Sequence, residues 1–153
     1  MATVIGLFIC ADKGLPMLAQ QEVKALAGIG LEGDRYANEK GAFSQSKRVT
    51  TRHVSLIDAS AIAEANKGLA EAFTFAETRR NIITQGIDLH TLIGKEFLVG
   101  TVVMKGVELC DPCGRPSSLA GKRGFEVAFQ QKGGLRAEIL TNGVIHINDP
   151  ITT

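Results

Sequence analysis

The chain has 153 residues, 44% hydrophobic and 22% charged, with a formal net charge of +1. That length carries one domain with a core of its own, residues 1–153. The near-neutral charge and the few aromatic residues (5%) give no basis for a nucleic-acid surface, and no apolar run reaches the ~18 residues of a membrane helix.

Residues 1–10 are apolar but lack a basic start and a small-residue cleavage site, so they read as a first strand, not a signal peptide. Gly14 and Pro16 break that strand. Residues 22–27 alternate polar and apolar, which predicts a second strand, and residues 49–57 predict a third. Asp58 is placed to cap a helix over 59–67, which Gly68 would end. Residues 96–104 are apolar and β-branched, interrupted at Gly100. A second helix is predicted over 125–132, stopped by Gly133-Gly134. Segments 136–141 and 144–148 flank Asn142-Gly143, a dipeptide suited to a type I′ turn, so a β-hairpin is expected there. Strands outnumber helices and do not alternate with them. With 17 scattered glycines, this favours a mainly β, Gly-rich barrel or sandwich with one or two short helices outside.

Two of the three cysteines stand in Leu109-Cys110-Asp111-Pro112-Cys113-Gly114. An odd cysteine count argues against a disulfide framework and for a reducing, cytoplasmic setting. Structural zinc needs a second cysteine pair or two spaced histidines, and His53, His90 and His146 are scattered. A dithiol redox site needs the second cysteine to lead into a helix, and Gly114 and Pro116 argue against a helix there. A single reactive cysteine, Cys113 or Cys110, would carry sulfur or bind a soft metal. The alternative is two small buried hydrophobes at a strand end. Pro112 and Gly114 put Cys113 on a constrained turn, and Arg115 follows close enough to favour a thiolate if its side chain faces the sulfur.

Residues 28–33 match GxGxxG, but Asp34-Arg35-Tyr36 and then Gly41 leave no room for the helix that receives a dinucleotide pyrophosphate, so turn geometry explains these glycines better. Arg35, Lys47, Arg48, Arg52, Arg79, Arg80, Arg115, Lys122 and Arg123 would bind phosphate if several converge; singly, each reads as a solvated charge. Ser44, Ser46, Ser55, Ser117 and Ser118 form no nucleophile elbow.

Gly30-Leu31-Glu32-Gly33-Asp34-Arg35-Tyr36 resembles the GxxGDRY signature of the MOSC domain, the C-terminal module of molybdenum cofactor sulfurases. Arg80-Asn81-Ile82, then Gly86-Ile87-Asp88-Leu89 and Leu92-Ile93-Gly94, are similar to its central pattern. Leu109-Cys110-Asp111-Pro112-Cys113 matches the segment with the family's hallmark cysteine, and residues 134–147 fit its closing hairpin. The resemblance implies a closed β-barrel with a few helices. It implies that Cys113, with Cys110 as second candidate, handles sulfur or ligates molybdenum of a molybdenum-pterin cofactor. It implies that Asp34, Arg35, Arg80 and Asn81 line or brace the same pocket, the arginines meeting the cofactor phosphate; Arg115 joins them by its position.

The chain is nearly the bare module and has no room for a pyridoxal-phosphate domain, so a cysteine desulfurase or a molybdoenzyme is the expected partner. Three functions follow from the resemblance. The first is a stand-alone protein in which Cys113 carries a persulfide to an acceptor or holds molybdenum. The second is a molybdenum-dependent reductase of N-hydroxylated compounds. The third is a non-catalytic module that recruits a desulfurase.

Overall fold

The computed structural model describes residues 1–38 and 53–153. The first strand, β1, occupies Thr3–Ile9 and turns Val4 and Leu7 into the main core. β2 (Leu18–Ala19), β3 (Glu22–Leu26) and β4 (Gly30–Leu31) follow. β3 shows the alternation read from its sequence, with Val23 and Ala25 buried and Glu22 and Lys24 exposed. β5 (Val54–Asp58) is buried at every position, as a central strand covered on both faces must be. The part of the expected third strand before residue 53 lies outside the described residues.

Asp58 caps α1 (Ala59–Asn66), its carboxylate accepting from Ser60 N at 3.2 Å and from Ser60 Oγ at 2.6 Å. The same carboxylate accepts from Thr84 Oγ1 at 2.7 Å, which ties α1 to β6 (Ile82–Gln85). β5 and β6 run parallel on either side of that crossover. β7 (Glu96–Val99) and β8 (Val102–Leu109) form a hairpin across Gly100, whose φ of 61° suits glycine.

Next come α2 (Arg115–Ala120), α3 (Phe125–Ala128), β9 (Leu135–Ile139), β10 (Gly143–His146) and β11 (Ile151–Thr152). α3 is shorter than the helix predicted over 125–132. Phe125 and Phe129 stack with centroids 4.2 Å apart, and Phe73 meets Phe125 edge-on at 5.1 Å. That cluster, with Ile57, Ile62 and Ile83, packs α1 and α3 against the outer face of the sheet.

An 8-stranded sheet runs in the order β11-β7-β8-β9-β5-β6-β1-β2, and a 3-stranded sheet in the order β10-β3-β4. The main core includes Leu56, Ile82, Met104, Leu135 and Ile139 from the larger sheet and Val23, Leu31 and Ile145 from the smaller. The fold is mainly β with few helices, as the sequence predicts. The strand ladders trace a curled half-barrel and do not close, in contrast to the closed barrel that the resemblance implies. The β11 end meets the start of β1 at the bridge of Thr3 with Pro150, where Ile151 N donates to Ala2 O and Val4 N to Asp149 O, both at 2.9 Å.

The expected hairpin across Asn142-Gly143 does not form. β9 is already flanked on both sides, by β8 and β5, so no edge is left for β10. The chain crosses to the smaller sheet, where β10 pairs antiparallel with β3. Asn142 Oδ1 accepts from Ala27 N at 2.7 Å, and Gly143 is absent from the positive-φ residues that a type I′ turn requires. Among the described residues, no helix is long and apolar enough to cross a membrane.

Candidate functional site

The end of β8 and the start of β9 frame the cysteine segment. Cys110 N donates to Gly134 O at 2.8 Å, so pairing continues one residue beyond β8 and leaves Cys110 buried (3% exposed). Cys113 is partly exposed, and all three cysteines are free thiols. The chain enters α2 directly after Cys113, with Gly114 as N-cap and Pro116 in the first turn. This corrects the expectation that Gly114 and Pro116 argue against a helix there. A proline in the first turn costs no hydrogen bond, because N–H groups there have no intrahelical acceptor, and its fixed φ is already helical.

A second segment brings up the arginines. The 3-10 turn Ala76–Thr78 ends at Arg79, which takes a left-handed φ of 63°. That conformation is uncommon for a residue with a Cβ. Arg79 Nη1 donates to Leu15 O at 2.8 Å, and its Nη2 lies 3.5 Å from Cys10 Sγ. Arg80 turns the other way, with Nε donating to Gly133 O at 2.6 Å.

A third segment follows β4. Asp34 is fully buried, and its Oδ1 accepts from Cys10 N and from Arg35 Nη1, both at 3.1 Å. Arg35 Nη1 also stands 3.5 Å from Cys10 Sγ, while its Nη2 donates to Arg79 O at 3.2 Å. The Tyr36 ring lies 4.6 Å below the guanidinium carbon, a cation–π contact.

These segments meet in one cleft. Cys113, Asp111, Arg115 and Pro116 line it from the α2 side, Arg79 and Arg80 from the turn before β6, and Arg35 and Tyr36 from the loop after β4. Arg136 of β9 and Lys13 complete the lining. Asp111 is the lone carboxylate among these residues. The cleft therefore gathers a soft sulfur and a concentration of positive charge. Burial works against the charge of Arg35, but Tyr36, Asp34 and Cys10 outweigh it and hold the guanidinium above its ordinary pKa. Arg79 is pushed below its ordinary value by burial and then by the nearby Arg35, with a smaller contribution from Arg115 and partial relief from Cys10. Like charges crowd here, a setting that favours a bound anion.

Of the residues the sequence singled out, Cys113, Arg35, Arg80 and Arg115 share this lining. Asp34, Asn81 and Cys110 do not line it and are buried. Asn81 crosslinks strands: its Oδ1 accepts from Ser55 N at 3.1 Å and its Nδ2 donates to Phe8 O at 3.1 Å. Lys122 lies apart, paired with Glu77 at 2.7 Å. Lys47, Arg48, Arg52, Ser44 and Ser46 lie outside the described residues. Arg79 stood only among the general cations of the sequence, and Arg136 and Lys13 carried no signal of their own. A larger cleft, about 390 Å³, opens beside Asp58, Asp88 and His90, but its buried carboxylate, Asp58, is already occupied in capping α1.

Among the described residues no group of three or more His, Cys, Asp or Glu is placed to hold a metal ion. A metal at Cys113 would take one ligand from the protein and the others from a cofactor. The donor chemistry fits a molybdenum-pterin cofactor in that sense, with thiolate for the metal and guanidinium for a phosphate.

The MOSC domain matches this sequence over residues 38–152. No curated protein matches it. Among solved structures, a YuaD protein from Bacillus subtilis superposes with a TM-score of 0.80 at 17% identity, over 99% of this chain and 94% of that one. YiiM from Geobacillus stearothermophilus gives 0.75 at 13% identity, over 99% and 74%. YiiM from Escherichia coli gives 0.68 at 16% identity, over 99% and 69%. At these identities the likeness is one of fold.

Proposed function

Since the chain belongs to the MOSC domain family, a family linked to the molybdenum cofactor, we propose that it transfers sulfur for metal–sulfur cofactor assembly, with Cys113 as carrier. One observation supports this above the others: a partly exposed thiol lies in a cleft lined by five arginines and a lysine. A sulfur carrier needs a thiol that reaches solvent and a way to hold anionic sulfur species, because persulfides are negatively charged and their donors are too. Cys110, sealed at the β8 end, serves as packing in this account.

The chain's own residues divide the work. Cys113 attacks the terminal sulfur of a donor persulfide; the new S–S bond forms as the old one breaks, and the donor leaves as a thiolate. Arg115 and Arg80 hold the negative charge that accumulates at the cleft mouth. Asp34 and Cys10 fix Arg35 and Arg79 behind them, through the contacts at 3.1–3.5 Å. A cysteine desulfurase is the donor class, and a molybdoenzyme or its cofactor the acceptor.

A second reading is favoured by the same donor set. Cys113 would hold the metal of a molybdenum-pterin cofactor and Arg35, Arg80 and Arg115 its phosphate, and the bound cofactor would supply the reducing chemistry for an N-hydroxylated compound. Metal analysis after expression in a cofactor-competent host separates the two. Carrier function predicts metal-free protein that gains one sulfur at Cys113 after incubation with a cysteine desulfurase and cysteine. Near-stoichiometric molybdenum that disappears in Cys113→Ala supports the reductase instead. An unchanged mass together with absent metal contradicts both.

A further inference from the structure

We infer that the Cys113 cleft accepts a small thio-oxyanion of the thiosulfate type as a direct sulfur donor, an inference that rests on the sulfur-transfer reading above. The water-accessible space within the cleft measures about 50 Å³. On this measure one water takes ~10–15 Å³, so the space suits an ion of a few heavy atoms. Thiosulfate has an oxyanion end for guanidinium and a sulfane sulfur for a thiolate.

The cations that face the ion are not all tied down. Arg35 and Arg79 are committed to Asp34, Cys10, Leu15 and each other. The Arg115 guanidinium and the Lys13 ammonium make no hydrogen bond or ion pair with any described residue, and both residues line the cleft with Cys113. The committed pair supplies fixed positive charge, and Arg115 and Lys13 supply donors that an arriving oxyanion can use.

The reaction balances without an external oxidant. Cys113 Sγ attacks the outer sulfur of thiosulfate, and an S–S bond forms. The bond between the two thiosulfate sulfurs breaks, and sulfite leaves with its electron pair. The persulfide stays on Cys113 as an anion. Guanidinium groups stabilise the charge that grows on the departing sulfite.

The test incubates the full chain with thiosulfate and follows sulfite release together with intact mass. The wild type is expected to release sulfite and gain one sulfur at Cys113. Arg115→Ala is expected to lower the second-order rate constant of sulfite release by ~10–100-fold, the loss of one charge-assisted contact, and Arg115→Lys to recover part of it. Sulfite release that persists in Cys113→Ser overturns the inference. So does absence of sulfite from a protein that a cysteine desulfurase still charges, although the carrier function then stands. Failure with both donors overturns the carrier function as well.

Discussion

Arg80 Nε donates to the Gly133 carbonyl at 2.6 Å, and a Cβ at Gly133 would come 2.2 Å from the Cys110 carbonyl oxygen. One glycine thus sets both the arginine and the strand end that precedes Cys113. The contact is with backbone, which cannot swing aside. Gly133→Ala is expected to destabilise the fold by about 1–3 kcal/mol, as over-packing does. It should also change the alkylation rate of Cys113, read by denaturation and by thiol labelling.

Asp34 is the fully buried carboxylate on which Arg35 depends. Removing it leaves a buried guanidinium unpaired and the Cys10 N–H without its acceptor. Asp34→Ala is therefore expected to cost about 3–5 kcal/mol, the penalty for breaking a buried pair from one side. Urea denaturation measures it. A loss under 1 kcal/mol would mean that Arg35 finds solvent or another partner.

Arg115 predicts the opposite behaviour. It is exposed, and its charge disfavours that of Arg79. Arg115→Ala is expected to leave the unliganded protein as stable as the wild type, or slightly more so. In phosphate at constant ionic strength the wild type should melt higher than in chloride, because an anion bound to the folded state stabilises it by mass action. The variant should lose most of that increment. Thermal melts of both proteins in the two salts check the pair of outcomes.

His53 gives a pH dependence. Its Nδ1 accepts from Ile139 N at 2.9 Å, and burial lowers its pKa from 6.5, opposed in part by Glu138. Protonation is therefore easier in the unfolded chain. Between the lowered folded value and the unfolded value of ~6.5, the unfolded state binds more protons, so stability is fully present above that unfolded value and declines as pH falls below it. Denaturation midpoints from pH 7.5 to 5 should show this fall. His53→Asn, which keeps an acceptor for Ile139 without a titrating ring, should flatten it.

Sequence patterning located the elements whose local and long-range preferences agree. β1 and β3 follow from alternation, and α1 from Asp58 ahead of good helix formers. The Asn142-Gly143 hairpin failed because a turn propensity carries no information on whether β9 has a free edge. α2 runs against the expectation because Pro116 reads as a helix breaker in sequence, although in a first turn it is a helix starter. Cys113 and its neighbour Arg115 were visible as a motif. Arg79, Arg136 and Lys13 were not, since they come from three separate segments and meet at Cys113 only through the fold. Cys10, which holds two guanidiniums within 3.5 Å of its sulfur, sat in an ordinary apolar strand end.

The central claim is that Cys113 is the accessible thiol in a cationic cleft. Alkylation with iodoacetate and with iodoacetamide, mapped by peptide mass, tests it most directly. Iodoacetate carries a negative charge and iodoacetamide none. Cys113 is predicted to label first, ahead of buried Cys10 and Cys110, with an iodoacetate-to-iodoacetamide rate ratio above that of free cysteine by about tenfold or more, falling as salt or phosphate is added. A ratio equal to that of free cysteine and indifferent to salt, or labelling that passes over Cys113, would contradict it.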